Sequence, residues 1–86
     1  MAKYKLLFTD TFYRSLRPIP KKDAERILRK SRALAENPRP FGCQKLSGQE
    51  KYRIRQGNYR IIYTIEDDRL IVVLVSVGNR KDVYDR

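Results

Sequence analysis

Histidine is absent from this 86-residue sequence, and cysteine occurs only once, as Cys43. The usual zinc ligands are therefore lacking, and so is the side chain that most often serves as a general base near neutral pH. A single cysteine cannot form a disulfide within the chain, and without a histidine to activate it we expect Cys43 to be a neutral, packed residue rather than a nucleophile. Any catalysis must proceed without histidine, and we expect no metal and no cofactor.

Long apolar segments are missing as well. The longest, residues 70–75, is too short to span a bilayer and is typical of a buried strand. No basic helix with a large aromatic apolar face is evident, so a membrane surface is not the expected partner. The N-terminus lacks the apolar core of a secretory signal, and we expect a cytoplasmic location.

Acidic residues are scarce relative to basic ones. Lys and Arg together number 20 against 10 for Asp and Glu, which gives a net charge of +10. Such an excess attracts polyanions and speeds their association, so it indicates nucleic acid or an acidic protein as the partner. The length allows a single domain, residues 1–86, with one modest core.

Residues 51–63 form the most informative stretch and predict a β-hairpin with Gly57-Asn58 as a two-residue turn. Glycine accepts the positive φ that such a turn requires, and asparagine tolerates unusual backbone angles. The turn sets the register of the two strands. The expected pairs are Gln56 with Tyr59, Arg55 with Arg60, Ile54 with Ile61, Arg53 with Ile62 and Tyr52 with Tyr63.

The hairpin is expected to be apolar on one side and cationic on the other, because side chains alternate between the faces of a strand. The apolar side carries Tyr52, Ile54, Ile61 and Tyr63. The other side carries Arg53, Arg55 and Arg60, which we call the basic face. Arg55 opposite Arg60 costs a few tenths of a kcal/mol to roughly 1 kcal/mol. The basic face is either an ordinary solvated surface or a polyanion site, and the absence of Asp and Glu between residues 51 and 63 favours the second.

The N-terminal part predicts a strand followed by two helices. Residues 4–8 alternate as a strand, Thr9 or Asp10 can cap a short helix, and Pro18 ends that helix. Pro20 suits the first turn of a second helix. This helix has a buried stripe at three-four spacing that consists of Ala24, Ile27, Leu28, Ser31, Leu34 and Ala35.

The later connections are expected to be irregular or tight. Residues 37–48 are expected to form an irregular link. Their two prolines exclude both a helix and a central strand here. Asp67-Asp68 is typical of a turn rather than of a catalytic carboxylate pair. With that turn, Tyr63 would pair with Val72 and Ile61 with Leu74. The sequence thus predicts an α+β domain: a small, mainly antiparallel twisted sheet of about four strands, the first beside the last, with two N-terminal helices packed on one face.

The closing segment, residues 78–84, follows the last predicted strand, which ends beside the start of the second hairpin strand. Arg80 and Tyr84 are therefore expected near the Gly57 end of the basic face. Such residues are usually plain surface groups. Here an arginine for phosphate and a tyrosine able to stack on a base would complete an RNA site.

Three segments together resemble the RelE/ParE superfamily of toxin proteins: Tyr52-Arg53-Ile54-Arg55, residues 57–63 (GNYRIIY) and residues 77–84 (VGNRKDVY). The order of elements is similar over essentially the whole chain. The resemblance implies a toxin of a type II toxin-antitoxin pair. RelE-like members are endoribonucleases that cut messenger RNA in the ribosomal A site without a metal. Their partners are the ribosome, the messenger and an antitoxin. For this chain the resemblance implies an antitoxin with an acidic surface, and operator DNA would be contacted only through that antitoxin.

The resemblance also implies roles for particular side chains. The expected catalytic residues are Arg53, Arg55, Arg60, Arg80 and Tyr84, with Tyr84 stacking on the substrate base. RNA binding would use the same five residues together with Lys51 and Lys81. In this chemistry the ribose 2′-hydroxyl attacks its own phosphate, and cationic side chains stabilise the developing charge.

One position departs from the family pattern. Family members often have lysine where this chain has Arg53, and that lysine is proposed to accept the 2′-hydroxyl proton. Arginine is a poor general base, so Arg53 is expected to act electrostatically. The sequence does not identify the general base. Two alternatives remain: a ParE-like toxin that poisons DNA gyrase by protein contact, and a non-catalytic basic RNA-binding module.

Overall fold

The computed structural model describes residues 3–79, which form two helices and one five-stranded sheet. In chain order the elements are β1 (Lys5–Phe8), α1 (Asp10–Leu16), α2 (Lys21–Ala33), β2 (Gln44–Lys45), β3 (Tyr52–Gln56), β4 (Tyr59–Glu66) and β5 (Ile71–Asn79). The strand order is β1-β5-β4-β3-β2, with β1 parallel to β5 and every other pair antiparallel. This confirms the α+β class and the first strand beside the last, with five strands in the described part rather than four.

Local signals place both helices. The Thr9 hydroxyl accepts a hydrogen bond from the backbone N–H of Phe12 at 3.0 Å, which caps α1 as predicted. Pro20 precedes α2, whose buried residues include Ile27 and Ser31. The Ser31 hydroxyl donates to the Ile27 carbonyl at 2.8 Å, so its burial leaves no unsatisfied donor. Neither described helix is long and apolar enough to cross a membrane.

The hairpin of β3 and β4 has the predicted register at every pair, from Gln56 with Tyr59 to Tyr52 with Tyr63. Gly57 has a φ of +62° and is followed by Asn58 without a positive φ. A positive φ at the first central residue alone is the pattern of a type II′ turn, whose twist matches that of the flanking strands.

Both helices cover one face of the sheet, as predicted. Phe12 from α1 and Ile27 from α2, with Leu34 just beyond it, pack on buried side chains of the three central strands. The sheet residues of this core are Ile54, Ile61, Tyr63, Val72, Leu74 and Val77. Burying each such aliphatic side chain stabilises the fold by roughly 1.5–3 kcal/mol. The basic face is therefore the side of the sheet turned away from the helices.

The predicted pairing of β4 with β5 is wrong. The turn comprises residues 67–70 rather than Asp67-Asp68 alone, so Glu66 pairs with Ile71 and Tyr63 pairs with Leu74 instead of Val72. Leu70, at the end of this turn, has a φ of +54° and is the one described non-glycine residue with a positive φ. The longer turn shifts the register by two residues and leaves the faces unchanged.

A β-bulge changes the pairing again further along β5. Ile62 pairs with Ser76 while Tyr63 pairs with Leu74, so Val75 is an extra residue, and Ile61 pairs with Val77 instead of Leu74. One extra residue reverses the alternation of faces beyond it. Leu74 and Val77, an odd number of positions apart, are consequently both buried.

The link between α2 and β3 is irregular except at Gln44 and Lys45. The prediction of an irregular link over residues 37–48 is wrong at these two positions. These two residues form β2 and pair with Arg53 and Tyr52 at the edge of the sheet. An edge position is compatible with the upstream prolines, because the strand needs a partner on one side only.

Candidate nucleic-acid interface

The basic face consists of Arg53 and Arg55 on β3 and Arg60 on β4. Arg55 lies directly opposite Arg60, and Arg53 lies opposite Ile62. The residues between them, Ile54 and Ile61, are buried under the helices, so alternation sends all three arginines to the other side. The predicted common side of these residues is thus confirmed, whereas their role stays a prediction.

The Arg53 side chain is held in place by a contact with the edge strand β2. Its Nη2 donates a hydrogen bond to Oε1 of Gln44 on β2. Its Nε is shielded from solvent and has no hydrogen-bond partner within residues 3–79. Burial, followed by the charges of Arg55 and Arg60, lowers the pKa of Arg53. A guanidinium nevertheless stays protonated in proteins, so a bound anion would relieve this mutual repulsion.

The acidic side chains that form ion pairs do so elsewhere. Within the described residues, no ion pair joins a carboxylate to Arg53 or Arg55. The observed pairs are Lys3 with Glu36, Arg26 with Asp23, Arg39 with Asp67, Lys45 with Glu50 and Arg69 with Glu66. Within the described part of the chain, the charges of Arg53 and Arg55 are therefore not balanced by an ion pair.

The remaining predicted site residues are only partly described. Lys51 is exposed and immediately precedes β3. Arg80, Lys81 and Tyr84 lie outside the described residues. Asn79, the last residue described, pairs with Tyr59, so β5 ends beside the Gly57 turn as expected.

Asp67, in the β4–β5 turn, has a structural role. Arg39 donates two hydrogen bonds to its carboxylate, at 2.9 and 3.1 Å, and the Tyr4 hydroxyl donates a third at 2.8 Å. These bonds, led by those from Arg39, lower the pKa of Asp67 to about 2. No group of three or more His, Cys, Asp or Glu side chains in the described part of the chain could hold a metal ion.

Arg39 also orders the aromatic residues next to it. Its guanidinium lies over the Tyr52 ring, 5.3 Å from the ring centre, and Tyr52 stacks on Tyr63 with ring centres 5.8 Å apart. The buried Tyr63 hydroxyl donates to the Pro38 carbonyl at 2.8 Å. The link is therefore tied to the sheet at Pro38 and at Arg39.

Sequence reasoning missed a groove beside the basic face, which we call the basic groove. It is open, has a volume of about 600 Å³, and is lined by Phe41, Gly42, Cys43, Gln44, Arg53 and Arg55. Phe41 is fully exposed, at 103% of its reference surface. The only local signal was a phenylalanine between proline and glycine, and its exposure depends on the path of the link.

A family model described as the ParE toxin of type II toxin-antitoxin systems matches residues 6–84. The chain belongs to the RelE/ParE toxin superfamily. The match spans the hairpin, the basic face and the closing segment, which are the parts that carried the resemblance in the sequence.

Among its relatives, this RelE/ParE protein is similar to toxin RelG of Mycobacterium tuberculosis, with 30% identity over 96% of this chain and 98% of that protein. It is 29% identical to the mRNA interferase toxin RelE of Escherichia coli K12, over 94% of this chain and 90% of that toxin. In the crystal structure of the RelBE2 toxin-antitoxin complex of M. tuberculosis, the matching chain has a TM-score of 0.83 and 27% identity. That match covers 95% of this chain and 97% of the other. These similarities place the protein on the RelE-like side of the superfamily.

Proposed function

We propose that this RelE-like protein is a toxin that cuts messenger RNA in the ribosomal A site. The observation that carries the proposal is the basic face, where Arg55 lies opposite Arg60 and Arg53 is held beside them by Gln44. A similar protein is named an mRNA interferase, which supports RNA as the substrate.

The proposed reaction needs no metal and no cofactor. The 2′-oxygen attacks the adjacent phosphorus and the bond to the 5′-oxygen of the next nucleotide breaks. The products are a 2′,3′-cyclic phosphate and, once solvent protonates the leaving oxygen, a 5′-hydroxyl. Negative charge builds on the phosphate oxygens in the transition state, and guanidinium groups stabilise it through charge-assisted hydrogen bonds. Arg53, Arg55, Arg60 and Arg80 would fill this role.

Other side chains would bind and orient the RNA. Tyr84 would stack on a base, while Lys51 and Lys81 would contact backbone phosphates. Because the chain has no histidine and arginine is a poor base, solvent or ribosomal RNA would accept the 2′-hydroxyl proton. This gives a physical reason for action on the ribosome, which would supply what the toxin lacks.

The proposed protein partner is an antitoxin with an acidic surface. A net charge of +10 favours such a partner, and a similar chain occurs in a toxin-antitoxin complex. Operator DNA would be contacted only through the antitoxin. Action on ribosomes would place the toxin in the cytoplasm.

The test uses programmed ribosomes with end-mapping of the messenger. Wild-type protein should cut at fixed codon positions, and Arg60→Ala and Tyr84→Ala should each lose those cuts. Arg29→Ala is the matched control, because Arg29 is an exposed arginine on α2, away from the basic face. Cuts that persist unchanged in Arg60→Ala would overturn the assignment of the basic face.

A second candidate is a ParE-like action on DNA gyrase, which the description of the family model favours. It predicts double-strand DNA breaks when the protein is incubated with gyrase and plasmid, and no cuts on programmed ribosomes. Messenger cleavage without such breaks would exclude it.

A further inference from the structure

Phe41 stands out because its whole ring faces solvent. It is fully exposed, whereas Phe12 is fully buried and Phe8 is half-buried with its ring 5.2 Å from that of Phe12. Full burial of a phenylalanine stabilises a fold by roughly 1.5–3 kcal/mol, which Phe41 does not contribute here. A single exposed apolar ring is not by itself evidence of a binding site, so the case for a contact depends on what surrounds Phe41.

The ring is presented by a tight turn. The Cys43 N–H donates to the Pro40 carbonyl at 3.0 Å, which closes a turn with Phe41 and Gly42 as its central residues. Gly42 has a φ of +94°, as the third position of a type II turn requires. Arg39, just before this turn, is anchored to Asp67. Phe41 is therefore held outward by ordered backbone, so binding through it would cost little ordering entropy.

The surroundings of the ring favour RNA over an apolar partner. Among residues 3–79, the charged side chains that line the basic groove are those of Arg53 and Arg55, and no carboxylate from these residues lines it. A volume of about 600 Å³ lies within the size range of small-ligand sites. An aromatic ring next to guanidinium groups is the combination that binds single-stranded nucleic acid, because a base stacks on the ring while its phosphate meets the cations.

We propose that Phe41 and the basic groove form a stacking site for an unpaired RNA base, next to the phosphate site of Arg53 and Arg55. The inference rests on the proposed function, in which RNA is the substrate, and adds to it a second base contact besides Tyr84. The base belongs either to the messenger or to ribosomal RNA, since both present the same chemistry.

The experiment uses programmed ribosomes with 2-aminopurine in the A-site codon and a non-cleavable 2′-deoxy residue at the cut position. Fluorescence quenching reports stacking on the messenger base. Single-turnover cleavage of all-ribose messenger gives the half-saturating toxin concentration. The variants are Phe41→Ala, Phe41→Leu, which keeps apolar bulk without a π face, and Phe41→Trp, which restores the ring. Tyr13→Ala is the control, because Tyr13 is an exposed aromatic residue on α1.

Loss of one base-stacking contact should raise the half-saturating concentration about 5- to 150-fold in Phe41→Ala and Phe41→Leu. Phe41→Trp and Tyr13→Ala should stay near wild type. Loss of quenching in Phe41→Ala and Phe41→Leu identifies a messenger base. If the half-saturating toxin concentration rises in these two variants while the quenching is unchanged, the stacked base belongs to ribosomal RNA.

Other outcomes separate the two proposals. If Phe41→Ala or Phe41→Leu cleaves as wild type does, the stacking site is refuted and the nuclease function stands. If wild-type protein quenches 2-aminopurine through Phe41 but never cleaves all-ribose messenger, the nuclease function is refuted and the stacking site stands. If Phe41→Ala weakens only antitoxin binding, the ring is a protein contact and the inference fails.

Discussion

Replacing Arg55 by glutamine is expected to stabilise the folded protein while it weakens action on RNA. Arg55 is exposed and lies directly opposite Arg60 across the hairpin. Glutamine keeps most of the length of the side chain and removes its charge. The two effects have opposite signs because the charges that would bind phosphate repel each other when no anion is present.

The size of the effect follows from the pair geometry. Like charges directly opposite each other in a sheet cost up to roughly 1 kcal/mol, and solvent screening of an exposed side chain reduces this to roughly 0.2–0.5 kcal/mol. For a domain of this size the Tm should rise by about 1–4 °C. The gain should shrink at high salt, because the Debye length falls from about 30 Å at 0.01 M to about 3 Å at 1 M.

The assay combines thermal unfolding at low and high salt with messenger cleavage on programmed ribosomes. The cleavage rate of Arg55→Gln should fall by about 100- to 1,000-fold, the cost of removing one donor to a transition-state anion. Arg29→Gln makes the same change of net charge on an exposed part of α2 and should alter neither quantity appreciably. A Tm for Arg55→Gln at or below wild type, or an equal gain in Arg29→Gln, would refute the repulsion across the hairpin.

Three further substitutions test the fold. Asp67→Asn should lower the free energy of unfolding in urea near neutral pH. Hydrogen bonds, led by those from Arg39, lower the pKa of Asp67 from its ordinary value of 3.8 to about 2. The advantage of wild type over the variant should therefore disappear as the pH falls from 3.8 toward 2. Leu70→Gly should raise the free energy of unfolding by about 0.5–1 kcal/mol in thermal denaturation, since Leu70 has a φ of +54°. Tyr63→Phe should lower the free energy of unfolding in urea by about 0.5–1.5 kcal/mol, because its buried hydroxyl donates to the Pro38 carbonyl.

Each of these has a matched control. Asp68→Asn changes the neighbouring exposed acid in the same turn and should leave the acid dependence as in wild type. Gly57→Ala makes the reverse change at a φ of +62° and should lower stability. Tyr13→Phe removes a hydroxyl from an exposed ring and should be neutral. If a control changes stability in the same way as its test variant, the structural reason given for that test variant is wrong.

Much of the candidate site could be predicted because it depends on neighbours along the chain. The Gly57-Asn58 turn sets the register of β3 and β4, and alternation then places Arg53, Arg55 and Arg60 on one side. The caps and apolar spacing of α1 and α2 are equally local. The β4–β5 pairing was not predictable in this way. Its turn is held by contacts of Asp67 with Arg39 and Tyr4, 28 and 63 residues away.

The sequence by itself determined the helices, the hairpin register and the segregation of apolar from cationic side chains, since each depends on residues that are close together in the sequence. Tertiary structure alone decided the bulge at Val75, the edge strand at Gln44 and Lys45, and the exposure of Phe41 beside the arginines. These features depend on which distant segments pack together, and no local pattern encodes that choice.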